Sequence, residues 1–221
     1  MNSKSQWHIQ GESCVGIEGC RNDKYFNNFV GRSPSQFSPS STWVENGKLI
    51  LETRWDPTFN FSSGGCKTFS NVEYCFGTSG GESTPIITAA VNSYKLFQRG
   101  YMEIKCKAAD AEITSSFWII GAGAELDMFE MFGKYEIKSK EKEKELKLNI
   151  IDWASGTNIN EVVNYIDTDW RVADEFHVYG FDWGASSLKV YIDGKLTQTI
   201  VASDHTNGKW ILDGPQRIWV D

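Results

Sequence analysis

Along most of the chain, apolar and polar residues alternate one by one in short runs broken by Gly, Asn, Asp and Ser. A period of two is the mark of a strand with one buried face, and helical spacing is scarce. Leu49 to Trp55 follows an Asn46-Gly47 turn, and Ile86 to Tyr94 and Gly100 to Lys107 are the next predicted strands. Phe117 to Ile120 leads into residues 125–130. Leu146 to Trp153, Glu175 to Trp183, Leu188 to Ile192 and Arg217 to Val220 complete the series, with Asp193-Gly194 as a second hairpin turn. Strand after strand without helices predicts an all-β fold, two antiparallel sheets packed face to face. No internal repeat and no Pro/Gly-rich linker interrupts residues 1–221, so a single domain is expected, with a less regular segment over 1–40 wrapping its edge.

One stretch contradicts its own pattern. In Glu125-Leu126-Asp127-Met128-Phe129-Glu130, strict alternation puts Glu125 and Asp127 on one strand face and sends Glu130 to the other, among core residues. A lone carboxylate in an apolar core is costly. One extra residue at Met128-Phe129, a β-bulge, restores parity and brings all three acids to the same open face. Two carboxyls on such a face can cleave a glycosidic bond: one attacks the anomeric carbon or activates water, and the other protonates the leaving oxygen. A third between them can push a proton onto its neighbour and position the nucleophile. The plainer alternative is a solvated strand face with scattered acids, against which stands the aromatic run beside the motif.

Composition narrows the choice. Nine Trp, eight Tyr and thirteen Phe in 221 residues are rich in the flat surfaces on which sugar rings stack. A formal net charge of −7 without a basic stripe argues against nucleic-acid binding, and no apolar stretch is long enough to span a membrane. The amino terminus has no apolar leader, so the chain is either cytoplasmic or shown without its signal segment. Of five cysteines, Cys14/Cys20 and Cys66/Cys75 can form short-loop bridges, which would favour export, while Cys106 shares parity with Met102 and Ile104 as a buried thiol. Lys138 to Glu145, alternating Lys with Ser and Glu, reads as a solvated hairpin tip or a short exposed helix, with a gate over the cleft as the alternative. The three histidines are far apart and lack metal-ligand spacing; His177, inside a strand, reads as a structural hydrogen-bonder. Neither a nucleophile elbow nor a phosphate-binding loop is present.

Glu125 to Glu130 resembles the E-x-D-x-x-E signature of glycoside hydrolase family 16 in its bulged form. Gly100-Tyr101-Met102-Glu103-Ile104-Lys105, Ser115-Ser116-Phe117-Trp118, Phe176 to Trp183 and Tyr191-Ile192-Asp193-Gly194 are similar to further segments of that family, in the same order. The resemblance implies a concanavalin-A-like β-jelly roll with a concave cleft, and an endo-acting, retaining hydrolase of β-linked polysaccharide; nothing in the sequence demands more than a monomer, and a secreted, cell-surface or periplasmic protein is expected. It implies Glu125 as nucleophile, Asp127 as assisting acid and Glu130 as general acid/base, the working carboxyls roughly 5–5.5 Å apart. Trp118 matches the family's aromatic floor, core packing being the alternative. No cofactor is required for catalysis, and the family permits a structural calcium whose ligands the sequence does not identify.

Within the family, Gly31-Arg32-Ser33-Pro34 and Trp43 to Leu49 are similar to β-agarases and β-porphyranases, which points to red-algal galactan, sulfated or neutral, as substrate. Arg32, Arg54 and Trp55 are the candidates for holding its sugars, since a guanidinium suits sulfate or paired hydroxyls and an indole suits a ring face. For each Arg, ordinary salt bridging is the competing assignment. Asp152 stands where many members carry His, and with Trp153 completes the substrate-binding candidates. Members usually continue past the segment matching Arg217 to Val220, which implies a trimmed or open C-terminal edge. Laminarinase-type β-glucan hydrolysis and a non-catalytic, sugar-binding jelly roll are the alternatives.

Overall fold

The computed structural model describes residues 6–12, 29–135, 140–155 and 159–221. The chain divides into two compact units, Met1–Lys95 and Leu96–Asp221. Among its described residues the first contains the short strands β1 Trp7–Ile9, β2 Gln36–Phe37, β3 Thr42–Glu45, β4 Lys48–Leu51, β5 Arg54–Trp55, β6 Lys67–Phe69, β7 Val72–Cys75, β8 Thr78–Ser79, β9 Glu82–Ser83, β10 Ile86–Thr88 and β11 Val91–Ser93.

The predicted run from Leu49 to Trp55 is two strands. β4 folds back on β3 through Asn46-Gly47, whose φ angles of 49° and 74° are the left-handed pair such a turn needs. The Glu52 N–H extends that register by donating to the Ser41 carbonyl (2.9 Å), and the chain then changes partner, the Thr53 and Thr88 hydroxyls meeting at 2.7 Å. β5 goes on to pair with β10. The predicted Ile86 to Tyr94 strand is likewise two, since β10 serves β5 and β2 while β11 pairs with β1. The Cys66–Cys75 disulfide closes the β6–β7 hairpin. Cys14 and Cys20 lie outside the described residues.

The second unit carries β12 Gly100–Cys106, β13 Thr114–Gly121, β14 Ala124–Phe132, β15 Glu145–Asp152, β16 Ile159–Asp167, β17 His177–Trp183, β18 Ser187–Ile192, β19 Lys195–Val201 and β20 Arg217–Val220. They form two antiparallel sheets, one in the order β20-β13-β14-β15-β16 and the other β12-β17-β18-β19. Sheet packs on sheet through the inward half of each alternation. Phe117, Ile119, Leu126, Met131, Leu146 and Leu148 come from one side, and Tyr179, Phe181, Trp183, Leu188 and Val190 from the other, all buried. Ring contacts cross the seam, with Phe129 5.1 Å from Tyr179 and Phe117 5.9 Å from Phe181. The fold is thus all-β, the jelly-roll sandwich expected.

Two details explain sequence features that alternation alone does not. On the outer face of β12–β17 the Tyr101 ring lies across Gly180, where a Cβ would stand 2.2 Å from the phenol oxygen, so any side chain there would push the exposed ring aside. The Lys/Glu run is not uniformly solvated. Residues Lys140–Lys144 form a 3₁₀ turn in which Glu143 is buried and accepts a 2.7 Å bond from Arg171 Nε. The same guanidinium reaches Asp110 (2.6 Å), Asp174 (2.9 Å) and the Gly133 carbonyl (2.7 Å), tying four segments together beside the end of β14.

Candidate active site

The site is built on β14. Its register against β13 runs Phe117↔Phe129 and then Trp118↔Asp127, so Met128 has no counterpart. Against β15 it runs Asp127↔Asn149 and then Glu130↔Lys147, so Met128 and Phe129 together stand opposite Leu148. This is the β-bulge, at the residues where parity requires it. Met128 and Phe129 both enter the core, at 0% and 2% exposure, while Glu125 and Glu130 are only half-buried. Two consecutive inward side chains return Glu130 to the face of Glu125 and Asp127.

Each acid has a distinct environment. Glu125 Oε2 accepts a 2.9 Å bond from Trp153 Nε1, which ties the end of β15 to the start of β14. Glu130 is paired directly across the ladder with Lys147, Nζ to Oε2 2.5 Å. Asp127 is buried between them. Burial, then the charges of Glu125 and Glu130, push its pKa up to about 8, so it holds a proton at neutral pH and can donate to Glu125. Three acids thus share a face without three negative charges.

Trp118 sits across from Asp127, half-buried, stacked on Trp219 of β20 (centroids 4.9 Å, planes 22° apart), and its Nε1 donates to Asp221 Oδ1 at 3.1 Å. It lies on the acids' face by register, so it is an indole fixed in orientation beside the central carboxyl. The structure therefore brings together Glu125, Asp127, Glu130, Trp118 and Trp153. Asp152 is directed elsewhere: its Oδ1 accepts from the Ala154 and Ser155 amides (2.8 and 3.2 Å), capping the turn after β15. In the first unit, Arg32 is exposed, Trp55 is 58% exposed, and Arg54 is engaged with Glu52 (2.7 Å), Ser40 and Ser41. That engagement is the salt bridging weighed against a sugar contact for Arg54.

Sequence reasoning missed Lys147, Asn149, Tyr165 and Trp219. The first three fall on this face only once the bulge has fixed which residues of β15 and β16 oppose which acids. Asn149, buried opposite Asp127, has an Oδ1 with no hydrogen-bond partner among the described protein atoms. The cluster of metal-ligating type among the described residues is Cys66, Glu73 and Cys75, two of which are joined to each other, leaving one carboxylate. Cys106 is a free thiol whose pKa burial pushes up to about 12, so it is chemically quiet. No helix among the described residues is long and apolar enough to cross a membrane.

The family model described as "Beta-porphyranase A-D, GH16 domain" matches residues 18–220. The chain belongs to glycoside hydrolase family 16. It is similar to β-agarase AgaB34 of Agarivorans albus, 23% identical over 220 residues, covering 95% of this chain and 41% of that protein. It is also similar to a β-glucanase of Acetivibrio thermocellus, 26% identical over 167 residues, covering 72% of this chain and 39% of that one. The chain thus spans about two fifths of the length of these relatives. Among solved structures, porphyranase B from Zobellia galactanivorans superposes with a TM-score of 0.71 at 19% identity, covering 98% of this chain and 74% of that one. Family and fold place the chain in the agarase and porphyranase branch of the jelly-roll hydrolases.

Proposed function

We propose that this protein is an endo-acting, retaining hydrolase of β-linked red-algal galactan, of porphyran or agarose type. The observation that carries it is the bulge at Met128-Phe129, which sets Glu125, Asp127 and Glu130 on one open face in a chain of this family. In the first step a Glu125 carboxylate oxygen attacks the anomeric carbon as the bond to the leaving oxygen breaks. That oxygen takes the bonding electrons and the proton of Glu130. In the second step Glu130 removes a proton from water, whose oxygen displaces Glu125 from the same carbon. Trp153 Nε1 and protonated Asp127 hold the nucleophile's carboxylate by donating to it, and Trp118 offers a ring face beside the bond being cut.

Catalysis in this reading needs no cofactor, and the protein works as a monomer. The Cys66–Cys75 disulfide supports an exported enzyme, since such bridges persist in oxidising compartments. A second reading, hydrolysis of β-glucan, is favoured by the similarity to the Acetivibrio thermocellus β-glucanase. Reducing-end release from porphyran, agarose, carrageenan and laminarin, assayed side by side, separates the possibilities. Release from porphyran or agarose, with laminarin untouched, is the expected outcome. Release from laminarin alone would favour the β-glucan reading, and binding without release would make the protein a sugar-binding module.

A further inference from the structure

We propose that Asn149 is a positioning residue for the second half of the reaction: once Glu125 is bonded to the sugar, the Asp127 hydroxyl turns from Glu125 to the Asn149 side-chain oxygen, and it turns back as Glu125 leaves. The inference rests on the reading of Glu125 as nucleophile.

Asn149 stands directly opposite Asp127 in the β14–β15 ladder, one row from the Glu130–Lys147 pair. Side chains so placed have Cβ atoms about 4.5–5.5 Å apart, within reach of one hydrogen bond. Asn149 is 5% exposed, and its Oδ1 is sealed from solvent with no partner among the described residues. A buried amide oxygen without a donor is costly, so one kept beside a cleft calls for a donor that visits it. A sugar hydroxyl is not that donor, because the oxygen is hidden from solvent. The described donors nearby are committed: Lys147 Nζ to Glu130, Trp153 Nε1 to Glu125 (2.9 Å) and Trp118 Nε1 to Asp221 (3.1 Å). Val163, opposite Asn149 on β16, and Ile151, two residues on, have apolar side chains. The Asp127 hydroxyl remains.

In the resting site Asp127 carries a proton, because burial and the charges of Glu125 and Glu130 hold its pKa at about 8, and it shares a hydrogen bond with Glu125. A hydrogen bond to a charged carboxylate is roughly twice as strong as one to a neutral acceptor, so the resting hydroxyl faces Glu125. When Glu125 attacks, the electron pair that carried its charge becomes the bond to the anomeric carbon. The leaving oxygen departs with its own bonding pair and the Glu130 proton. What remains of Glu125 is a neutral ester, a weaker acceptor than an amide oxygen. The Asp127 O–H bond stays intact throughout, and only its acceptor changes. As water takes the sugar, the electron pair returns to Glu125, charge builds there, and the hydroxyl swings back. Asn149 thus stabilises the glycosyl-enzyme and adds nothing to the hold on Glu125 in the free protein.

The test is the lifetime and the structure of the glycosyl-enzyme formed from a fluorinated galactosyl donor, its formation and breakdown followed separately by mass spectrometry. Asn149→Leu keeps the volume and removes the acceptor, and is expected to shorten the lifetime of the adduct about tenfold. A merely structural role predicts the opposite sign, since a loosened site slows breakdown along with formation. In a crystal structure of the unmutated protein's adduct, an Asp127 oxygen is expected within about 3 Å of Asn149 Oδ1. A lifetime unchanged or lengthened by Asn149→Leu, or an adduct in which Asp127 still faces Glu125, overturns the proposal. The change of acceptor is also read without catalysis, in a Glu125→Leu protein that lacks the resting acceptor. There Asp127 is expected to bond Asn149, and an Asp127 turned elsewhere overturns the proposal. If no adduct forms on Glu125 while the donor is consumed, the nucleophile reading falls instead, and the Glu125→Leu structure still decides whether Asn149 is the second acceptor.

Discussion

Asp127 holds the proton on which the rest of the site depends. Burial raises its pKa to about 8, above the 3.8 of an ordinary Asp, so across that window the folded protein carries a proton the unfolded chain has lost. The sign follows from linkage: stability from this group is complete below the ordinary Asp value and is lost as pH rises through the folded one. Urea unfolding at about pH 5 and about pH 9 should therefore show the parent losing on the order of 1–3 kcal/mol more than Asp127→Asn. Equal losses would mean Asp127 is ionised in the fold. In turnover, Asp127→Asn is expected to cost on the order of a hundredfold and to alter the pH profile, while Glu125→Gln and Glu130→Gln each cost roughly 10⁴-fold or more with oligosaccharide binding retained. Near-normal turnover in either Gln variant, measured as reducing ends released, would remove that residue from its assigned step. The acids were legible as residues because charge amid an apolar, aromatic run is unusual. Lys147 was not, because a Lys between Leu146 and Leu148 reads as an ordinary outward position until its partner across the ladder is known.

At the scale of elements, the bulge in β14 separates a working face from a buried charge. Deleting Met128 should remove the bulge and leave Glu125, Asp127 and Glu130 at strict two-residue spacing, still on one face, so turnover should survive while the lost core methionine costs about 2–5 kcal/mol in urea unfolding. A deletion variant that folds but has lost all turnover would show that the bulge does more than keep the three acids in phase. The conflict between alternation and chemistry made this irregularity visible in the sequence. Partner changes were hidden, since nothing in Leu49 to Trp55 marks that the chain leaves β3 after Glu52 and pairs with β10 from Arg54. β16 and β19 were missed because Asn-Glu-Val-Val-Asn and Lys-Leu-Thr-Gln-Thr alternate weakly. The solvated reading of the Lys/Glu run fails at Glu143, because the partner that buries it, Arg171, stands 28 residues away. Replacing Arg171 by Ala should lower Tm by several degrees, as Glu143 loses its guanidinium; an unchanged thermal unfolding curve would make that network ornamental.

For the whole molecule, the ordered segments, the family match over residues 18–220 and the two-sheet packing agree on a jelly-roll of glycoside hydrolase family 16. Substrate choice is less legible, because it resides in side chains such as Tyr165 and Trp55 whose outward positions are not dictated by the core. The catalytic claim can be tested apart from substrate preference by trapping the glycosyl-enzyme. The protein would be treated with a fluorinated galactosyl donor whose covalent intermediate hydrolyses slowly, then digested and mapped by mass spectrometry. A sugar-sized mass on the Glu125 side chain is the predicted result; the same mass on Asp127 or Glu130, or no adduct while the donor is consumed, would contradict it.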